Sequence, residues 1–389
     1  MKKSIICFLL ILINACLVFV KPTESLFANA VSNNEKTEVS ITAKSGLLLD
    51  FDTGTVVFEK NANERLPIAS MTKLATLSVV FDFIDKGIVK ENDMVVVSST
   101  AADVGGSSAF LDAGASYKLS ELVKSVIIAS ANDSSVALAE HVAGTEDVFV
   151  SKMNKLASSL GLENTHFENC TGLPSDNHYS SAYDIAKIYK TMCNHEIYKK
   201  YAKIWMDDFV HPSGRKTGLV NTNRLVKTFD GIEGGKTGYT DAARFCLTAS
   251  AKRGNTRLIG VVIGANDSKT RFAEMSKLFG FGFANFQTKV IVAKEIPVTL
   301  LKLKNAKREV EIYPEKDIVK FVPKTDDVVL TTDFQLNELK APLKAGDVVG
   351  KIFAFDKNNM VVDEANLIVN ENVSAVGVKE TLKKLVEKW

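Results

Sequence analysis

The tetrapeptide Ser70-Met71-Thr72-Lys73 places a hydroxyl group and an amine three positions apart. On a helix, residues with this spacing lie on the same face, so the Lys73 amine can reach the Ser70 hydroxyl and act as its base. A serine in the first turn of a helix also lies near free backbone N–H groups, which favour a developing oxyanion. The spacing therefore predicts a serine nucleophile, with a plain helix start as the alternative. The same pattern recurs at Ser213-Gly214-Arg215-Lys216.

Two further motifs follow in an order that suits a cleft. Ser130-Ala131-Asn132 lies between two predicted helices, and Lys236-Thr237-Gly238 lies just ahead of a predicted β-hairpin. Each motif has a duplicate, Ser175-Asp176-Asn177 and Lys216-Thr217-Gly218. We expect both duplicates to lie in polar loops, whereas Lys236 can lie on an edge strand that faces a cleft.

The three motifs together resemble those of the serine penicillin-recognising enzymes. Residues 66–74, 128–133, 221–225 and 235–240 are similar to the D-alanyl-D-alanine carboxypeptidases of low molecular mass, and residues 339–347 to the small C-terminal sandwich of that family. The resemblance runs from about residue 40 to the C-terminus. It departs from the family at Glu233-Gly234-Gly235, where many members have Asp, Gly and an apolar residue.

This resemblance implies a serine carboxypeptidase that removes the terminal D-Ala from peptidoglycan stem peptides. The reaction passes through an acyl-enzyme, and penicillin acylates the same serine. The expected ligands are therefore the stem peptide and β-lactams. No cofactor is expected, and the five histidines show no metal-ligand spacing, so we predict no metal.

The resemblance also implies a role for each catalytic residue. Ser70 is the nucleophile and Lys73 is its base. Because the pKa of a free lysine is ~10.4, burial and a second cation, Lys236, are expected to lower it towards neutrality. Ser130 relays a proton to the leaving amine, and Asn132 binds the substrate amide and helps to orient Lys73.

The remaining site residues are expected to bind the substrate. The backbone N–H groups of Ser70 and Tyr239 would form the oxyanion hole, next to Gly238 of the third motif. Thr237 and Arg271 would hold the terminal carboxylate of the substrate. For Arg271, a solvated position at a helix start is the alternative.

The elements that must position these residues are readable from hydrophobic periodicity. Residues 46–59 and 244–264 predict two hairpins, and apolar positions predict helices from Ser70, Leu119, Ser134, Val148 and Lys269. We therefore expect an α+β fold in which a helical block packs on one antiparallel sheet that contains both hairpins.

Beyond residue 287 the pattern changes to short β-branched runs, which are typical of a small all-β sandwich. The runs begin at Val290, Val310, Val328, Val348 and Met360. We expect a catalytic domain over residues 40–287 and a sandwich domain over residues 288–375.

The composition excludes some functions. The 389 residues are 46% hydrophobic and 24% charged, which indicates a folded protein of two domains. The formal net charge is only +2, and no long block of like charge occurs, so no nucleic-acid partner is expected.

The N-terminus predicts export. Lys2 and Lys3 precede an apolar run over residues 5–20, and Ala28-Asn29-Ala30 follows as a small-residue cleavage site. Residues 1–30 are therefore expected to be a signal peptide. A membrane span is the alternative, but the run is short for one, and a lipoprotein signal at Cys16 suits the sequence poorly. We expect the protein at the outer face of the cytoplasmic membrane.

The C-terminal residues 376–389 predict an amphipathic helix that binds the membrane surface. In a helical arrangement, five apolar side chains form one stripe: Val378, Leu382, Leu385, Val386 and Trp389. Lysines dominate the remaining face, which suits an interface with anionic lipid. Docking of this helix on its own protein is the alternative.

Two rival functions remain open at this point. A class A β-lactamase shares the three motifs but would need a deacylating glutamate in an E-x-x-L-N setting, which neither Glu163 nor Glu168 has. The other rival is a catalytically idle protein that binds the cell wall, and release of D-Ala would exclude it.

Overall fold

The computed structural model describes residues 39–306 and 308–375. The predicted signal peptide, residues 1–30, and the predicted amphipathic helix, residues 376–389, lie outside the described residues. Among the helices that are described, none combines the length and the apolar character needed to cross a membrane.

The described residues form nine α-helices, most of them in the first two thirds of the chain. Their bounds are α1 Lys73–Asp85, α2 Ser99–Asp103, α3 Leu119–Ala129, α4 Asn132–Ala143, α5 Glu146–Ser159, α6 Ala182–Met192, α7 Glu196–Ala202, α8 Leu225–Thr228 and α9 Ser268–Asn285. The predicted helices correspond to α1, α3, α4, α5 and α9, with their starts shifted by up to three residues. Helices α2, α6, α7 and α8 were not predicted.

Nine strands precede α9 and seven follow it in the described residues. Their bounds are β1 Ser45–Asp50, β2 Val56–Lys60, β3 Met94–Val96, β4 Ser116–Lys118, β5 Met206–Val210, β6 Lys216–Val220, β7 Ile232–Thr240, β8 Arg244–Arg253, β9 Thr256–Ala265, β10 Phe286–Val292, β11 Thr299–Leu301, β12 Val310–Pro314, β13 Ile318–Pro323, β14 Thr331–Leu336, β15 Val348–Phe355 and β16 Val361–Val369.

One antiparallel sheet organises the first part of the chain, in the strand order β2-β1-β9-β8-β7. The two predicted hairpins, β1–β2 and β8–β9, both belong to it, and β1 pairs with β9. The predicted α+β class, with its antiparallel sheet, helical block and all-β C-terminal part, is confirmed.

Two hydrophobic cores lie on opposite faces of this sheet. Leu47 and Leu49 belong to the core that includes the helical block, whereas Leu48 between them belongs to the core that includes α9. Strand β1 is therefore buried on both faces, which explains why its sequence is an unbroken apolar run and not an alternating one. Strand β7, at the edge of the sheet, is the one that can border a cleft.

The C-terminal strands have a core of their own, which includes Ile312, Ile352 and Leu367. They form a five-stranded sheet, β11-β12-β16-β15-β14, and a two-stranded ladder, β10-β13. The predicted strand at residues 328–330 is wrong. Val329 is largely exposed, and the strand begins only at Thr331, because this apolar run has no core to pack against.

Candidate active site

Ser70 lies in a 3₁₀ turn, Ala69–Thr72, that leads directly into α1. The Lys73 Nζ atom lies 3.0 Å from Ser70 Oγ. The prediction that the α-helix starts at Ser70 is therefore wrong by one turn. The reason lies in the backbone, since Ala69 has φ +48°, and this left-handed residue prevents regular α-helix at the entry. The tighter turn still brings the hydroxyl and the amine together.

A second loop, residues 168–178, closes over the Lys73 amine. Its Thr171 carbonyl accepts a hydrogen bond from Lys73 Nζ at 2.6 Å. The loop can approach so closely because Gly172 has φ +82° and an added Cβ would lie 2.0 Å from the Ala69 carbonyl oxygen. Lys73 is thus oriented by Thr171, and not by Asn132 as the sequence analysis expected. No sequence pattern marks Thr171 beyond the glycine that follows it.

Lys73 is fully buried at the base of the turn. Burial lowers the pKa of Lys73 to about 7, while the charge of Asp133 opposes this effect. Cys170 is also close, but burial raises the pKa of its thiol well above the usual value, so it stays neutral. A lysine with this pKa is substantially unprotonated near neutral pH and can take a proton from Ser70.

Ser130 and Lys236 form the second pair of the site. Ser130 ends α3 with φ +64°, a left-handed residue that turns its side chain out of the helix. Its Oγ accepts a hydrogen bond of 2.7 Å from Lys236 Nζ. Burial, together with the charges of Lys73 and Arg271, lowers the pKa of Lys236 well below its ordinary value. The charge of Lys73 thus contributes to the lowered pKa of Lys236, whereas burial is the cause of the lowered pKa of Lys73.

Asn132 begins α4, two residues after Ser130. Its Nδ2 donates to the Gly105 carbonyl at 2.5 Å. Its Oδ1 is buried and has no hydrogen-bond partner among the described residues. A buried acceptor without a partner is costly, so this oxygen is well placed to accept a hydrogen bond from a substrate amide.

Strand β7 passes very close to the Ser70 turn. An added Cβ on Gly238 would lie 2.6 Å from the Ile68 carbonyl oxygen and 3.2 Å from the Ser70 amide nitrogen, so only glycine fits here. The hydroxyl of Thr237 donates to Thr222 Oγ1 at 2.8 Å. Tyr239 is half exposed, and its hydroxyl donates to Asp241. The third motif thus lines one side of the same cleft.

Arg271 is buried, and the solvated position that was its alternative is wrong. Its Nη1 donates to the carbonyls of Gly238 and Cys246, both at 3.2 Å, and its Nε has no partner among the described residues. Burial lowers the pKa of Arg271 to about 10, which leaves it charged at neutral pH. The Arg271 side chain therefore binds the backbone of strand β7 at Gly238, and its positive charge acts on Lys236.

A cavity of about 700 Å³ extends from this end of the cleft. Arg271 and Thr222 contribute to its wall, next to the Thr237 hydroxyl, and Arg224 and Lys227 add positive charge. Its position and charge suit the carboxylate end of a peptide.

The duplicate motifs are placed elsewhere. Ser213 and Lys216 are exposed, and the Lys216 amine pairs with Asp208 at 3.0 Å. The expectation that Lys216 lies in a loop is wrong, since it begins β6, which pairs with β5 in a hairpin away from the five-stranded sheet. Asn177 does lie in a surface loop, where its backbone N–H donates to Glu168.

The three described cysteines, Cys170, Cys193 and Cys246, are buried and unpaired. Burial raises the pKa of Cys193 to about 12 and that of Cys246 to about 11, so these thiols are neutral. Within residues 39–306 and 308–375, no group of three or more His, Cys, Asp or Glu side chains is placed to hold a metal ion.

Comparison with known proteins places this geometry in a family. Residues 30–267 match the family described as D-alanyl-D-alanine carboxypeptidase, and residues 286–375 match the penicillin-binding protein 5 C-terminal domain. D-alanyl-D-alanine carboxypeptidase DacF of Bacillus subtilis is 39% identical over 90% of this chain and 91% of its own length. D-alanyl-D-alanine carboxypeptidase DacC of Escherichia coli is 36% identical over 87% of this chain and 86% of its own length.

A solved structure agrees with both sequence comparisons. Penicillin-binding protein 5 of Haemophilus influenzae has a TM-score of 0.68 and 32% identity, over 87% of this chain and 99% of its own. The resemblance carried by the three motifs is confirmed. Since the family match spans more than half of the sequence and the relatives align over nearly all of it, the chain belongs to the D-alanyl-D-alanine carboxypeptidase family.

Proposed function

We propose that this protein is a serine D-Ala-D-Ala carboxypeptidase that removes the terminal D-Ala from peptidoglycan stem peptides. The observation that carries the proposal is the buried Lys73 amine, 3.0 Å from Ser70 Oγ and with its pKa lowered to about 7. Membership of the family agrees with it. β-Lactams are expected to acylate the same serine.

The proposed reaction proceeds through an acyl-enzyme. Lys73 takes the Ser70 proton as Oγ attacks the carbonyl carbon of the D-Ala-D-Ala bond, and the backbone N–H groups of Ser70 and Tyr239 stabilise the oxyanion. Ser130, hydrogen-bonded to Lys236, passes its proton to the leaving D-Ala amine as the C–N bond breaks, and the proton that Lys73 took from Ser70 is returned to Ser130. Water then hydrolyses the ester and regenerates Ser70.

The same arrangement supports the proposed substrate contacts. The unpaired Oδ1 of Asn132 accepts a hydrogen bond from the substrate amide. Thr237 and the charges of Lys236 and Arg271 hold the terminal carboxylate, and the adjacent cavity receives the leaving end. Release of D-Ala from a peptide that ends in D-Ala-D-Ala, and its inhibition by penicillin, test the function. A protein that binds penicillin but releases no D-Ala would contradict it.

A β-lactamase function has less support. Glu168, one of the two glutamates that could have served for deacylation, turns its carboxylate to the Ser175 hydroxyl and the Asn177 N–H at the surface. The other, Glu163, is exposed, and the N–H of the next residue, Asn164, donates to Asp184.

The pH dependence of acylation follows from Lys73. Because the base must be unprotonated and burial lowers the pKa of Lys73 to about 7, the rate should fall about tenfold for each pH unit below 7 and level off above it. Stopped-flow acylation by a fluorescent penicillin between pH 5 and 9 measures this profile. A rate that is constant down to pH 5, or one that still rises steeply at pH 9, would contradict the role of Lys73.

The domain division is also a proposal. We propose that residues 40–287 form the catalytic domain and residues 288–375 the all-β domain. The separate C-terminal core and the family match over residues 286–375 support a boundary in this region. Thr288 joins the two parts, since its N–H donates to Thr256 Oγ1 at 2.8 Å.

We further propose that the protein is exported through its signal peptide, residues 1–30, and binds the membrane surface through residues 376–389. The support is the charged start and apolar run of the first segment and the amphipathic pattern of the second. This location would place the cleft beside its substrate, outside the cytoplasmic membrane.

The membrane proposal predicts salt-sensitive binding to anionic vesicles. Full-length mature protein should float with liposomes that contain anionic lipid, and release should increase with ionic strength because lysines contribute to binding. A protein that ends at Ser374 should stay in solution and keep its activity on a small peptide. Equal flotation of the two proteins would refute the anchor.

A further inference from the structure

One loop beside the cleft has no role in the mechanism above. We name residues 104–112 the wall loop; it follows α2 and precedes β4. Its Ser107 carbonyl accepts the Asn132 N–H at 2.6 Å, and its Gly105 carbonyl accepts Asn132 Nδ2 at 2.5 Å. Because Nδ2 is bound to Gly105, the side-chain amide of Asn132 has only Oδ1 left without a partner among the described residues. The wall loop therefore determines which amide atom is available to a substrate.

The wall loop is itself held by the carboxylate of Asp133, which is fully buried. Asp133 Oδ2 accepts hydrogen bonds from Ser108 Oγ at 2.6 Å and the Leu111 N–H at 3.0 Å. Asp133 Oδ1 accepts one from the Ala109 N–H, also at 3.0 Å. Buried charge-assisted hydrogen bonds of this kind are stronger than neutral ones, so this one side chain fixes the middle of the loop.

The conformation that Asp133 fixes is a costly one. Phe110, between two of the bound residues, has φ +61° and an exposed ring. A left-handed aromatic residue persists only where its surroundings impose it. Arg215 also holds the loop, through its bond to the Phe110 carbonyl at 2.6 Å, but Arg215 is exposed, and exposed contacts of this kind contribute little. Asp133 is therefore the main constraint.

We propose that Asp133 is a positioning residue for the carboxypeptidase reaction, acting through the wall loop to aim Asn132 Oδ1 at the substrate amide. The proposal rests on the proposed function. Asp133 touches neither the substrate nor the reacting atoms. Its effect is transmitted through the hydrogen bonds of the loop, and without it the Asn132 amide group would lose its fixed orientation.

Asp133 also has an electrostatic effect that a purely structural residue would lack. Its charge raises the pKa of Lys73 against the effect of burial. The other titratable groups that face Lys73 are Cys170, His178 and Lys236. Of these, Cys170 and His178 are neutral at pH 7, since burial raises the pKa of the thiol and lowers that of His178 to about 4. Removing the negative charge of Asp133 should thus lower the pKa of Lys73.

The test compares Asp133→Asn with a matched control, Asp184→Asn. Asp184 is also buried and also holds a loop, through the Asn164 N–H at 2.9 Å and Thr165 Oγ1 at 2.8 Å, away from the cleft. We expect Asp133→Asn to lower kcat/KM for D-Ala release by roughly 10- to 100-fold and to move the acid limb of the pH profile to lower pH. Asp184→Asn should lower the melting temperature similarly, with kcat/KM and the acid limb near those of the parent.

A second variant covers the case in which Asp133→Asn fails to fold. Ser108→Ala removes two hydrogen bonds of the wall loop, the one that Ser108 Oγ donates to Asp133 and the one that it accepts from the Phe110 N–H. This variant keeps the Asp133 carboxylate and should fold, with kcat/KM reduced several-fold. Unchanged kcat/KM in Ser108→Ala and in any folded Asp133→Asn protein would overturn the positioning role, as would an equal loss in Asp184→Asn. If the wild-type protein releases no D-Ala, the proposed function fails and this role with it. If the wild type is active and the Asp133→Asn and Ser108→Ala proteins match it, only the role of Asp133 fails.

Discussion

Incubation with penicillin should add one β-lactam to each protein molecule, on Ser70, and Ser70→Ala should abolish the adduct together with D-Ala release. The loss of activity should be roughly 10⁴-fold or more, because removal of a nucleophile leaves only binding and the oxyanion hole. Ser70 has a buried amine of lowered pKa at 3.0 Å from its Oγ, whereas the lysine that follows Ser213 in the duplicate motif is exposed and pairs with Asp208. Intact mass spectrometry followed by peptide mapping locates the adduct.

The control for this experiment is Ser213→Ala. Ser213 has the same spacing to a lysine, but it is exposed, and Lys216 is paired with Asp208 at the surface. This variant should be acylated at the parental rate. An adduct on Ser213, or one that persists in Ser70→Ala, would show that the wrong serine has been assigned.

Lys236→Ala should lower D-Ala release by roughly 10²- to 10³-fold. The Lys236 amine is buried and donates to Ser130 Oγ at 2.7 Å and to the Thr237 carbonyl at 2.8 Å. Its removal would disorder the proposed proton relay and take away the amine that is proposed to hold the substrate carboxylate, and a single lost group of this kind has an effect of that order. Steady-state release of D-Ala, with binding of penicillin measured separately, gives the result.

Lys216→Ala is the matched control for Lys236→Ala, since both lysines precede Thr and Gly. Lys216 is exposed, and a surface ion pair such as the one with Asp208 is worth at most about 1 kcal/mol. Its replacement should leave activity within about twofold of the parent. Similar losses in the two variants would mean that the second copy of the motif contributes to catalysis.

The chemistry of the site was predictable from the sequence because each motif is local. Four neighbouring residues define the Ser70–Lys73 spacing, and the hairpin that follows Lys236 was readable from its two apolar runs. The two hairpins were predictable for the same reason, since each forms from adjacent segments joined by a short turn.

The partners that orient these groups were not predictable, because they are backbone atoms of distant loops. Thr171 contributes a carbonyl to Lys73, and Gly105 contributes one to Asn132. Any residue type supplies a carbonyl, so no pattern marks these positions. The helix start at Ser70 was mispredicted in a related way, since Ala69 has a left-handed φ and lies against the distant Gly172, and neither feature is visible in local helix propensity.

The strand order β2-β1-β9-β8-β7 also has a consequence for the order of folding. Strand β1, near the start of the folded chain, is an inner strand that needs β9 as its neighbour. Local hairpins form quickly, whereas contacts between distant segments form slowly. A nascent chain that ends at α8 therefore contains Ser70, Lys73 and Ser130 and yet has no cleft, since it lacks β7 and also β8 and β9, the strands that connect β7 to β1 in the sheet. Reactivity towards a β-lactam is acquired late, and it reports that the whole sheet has closed.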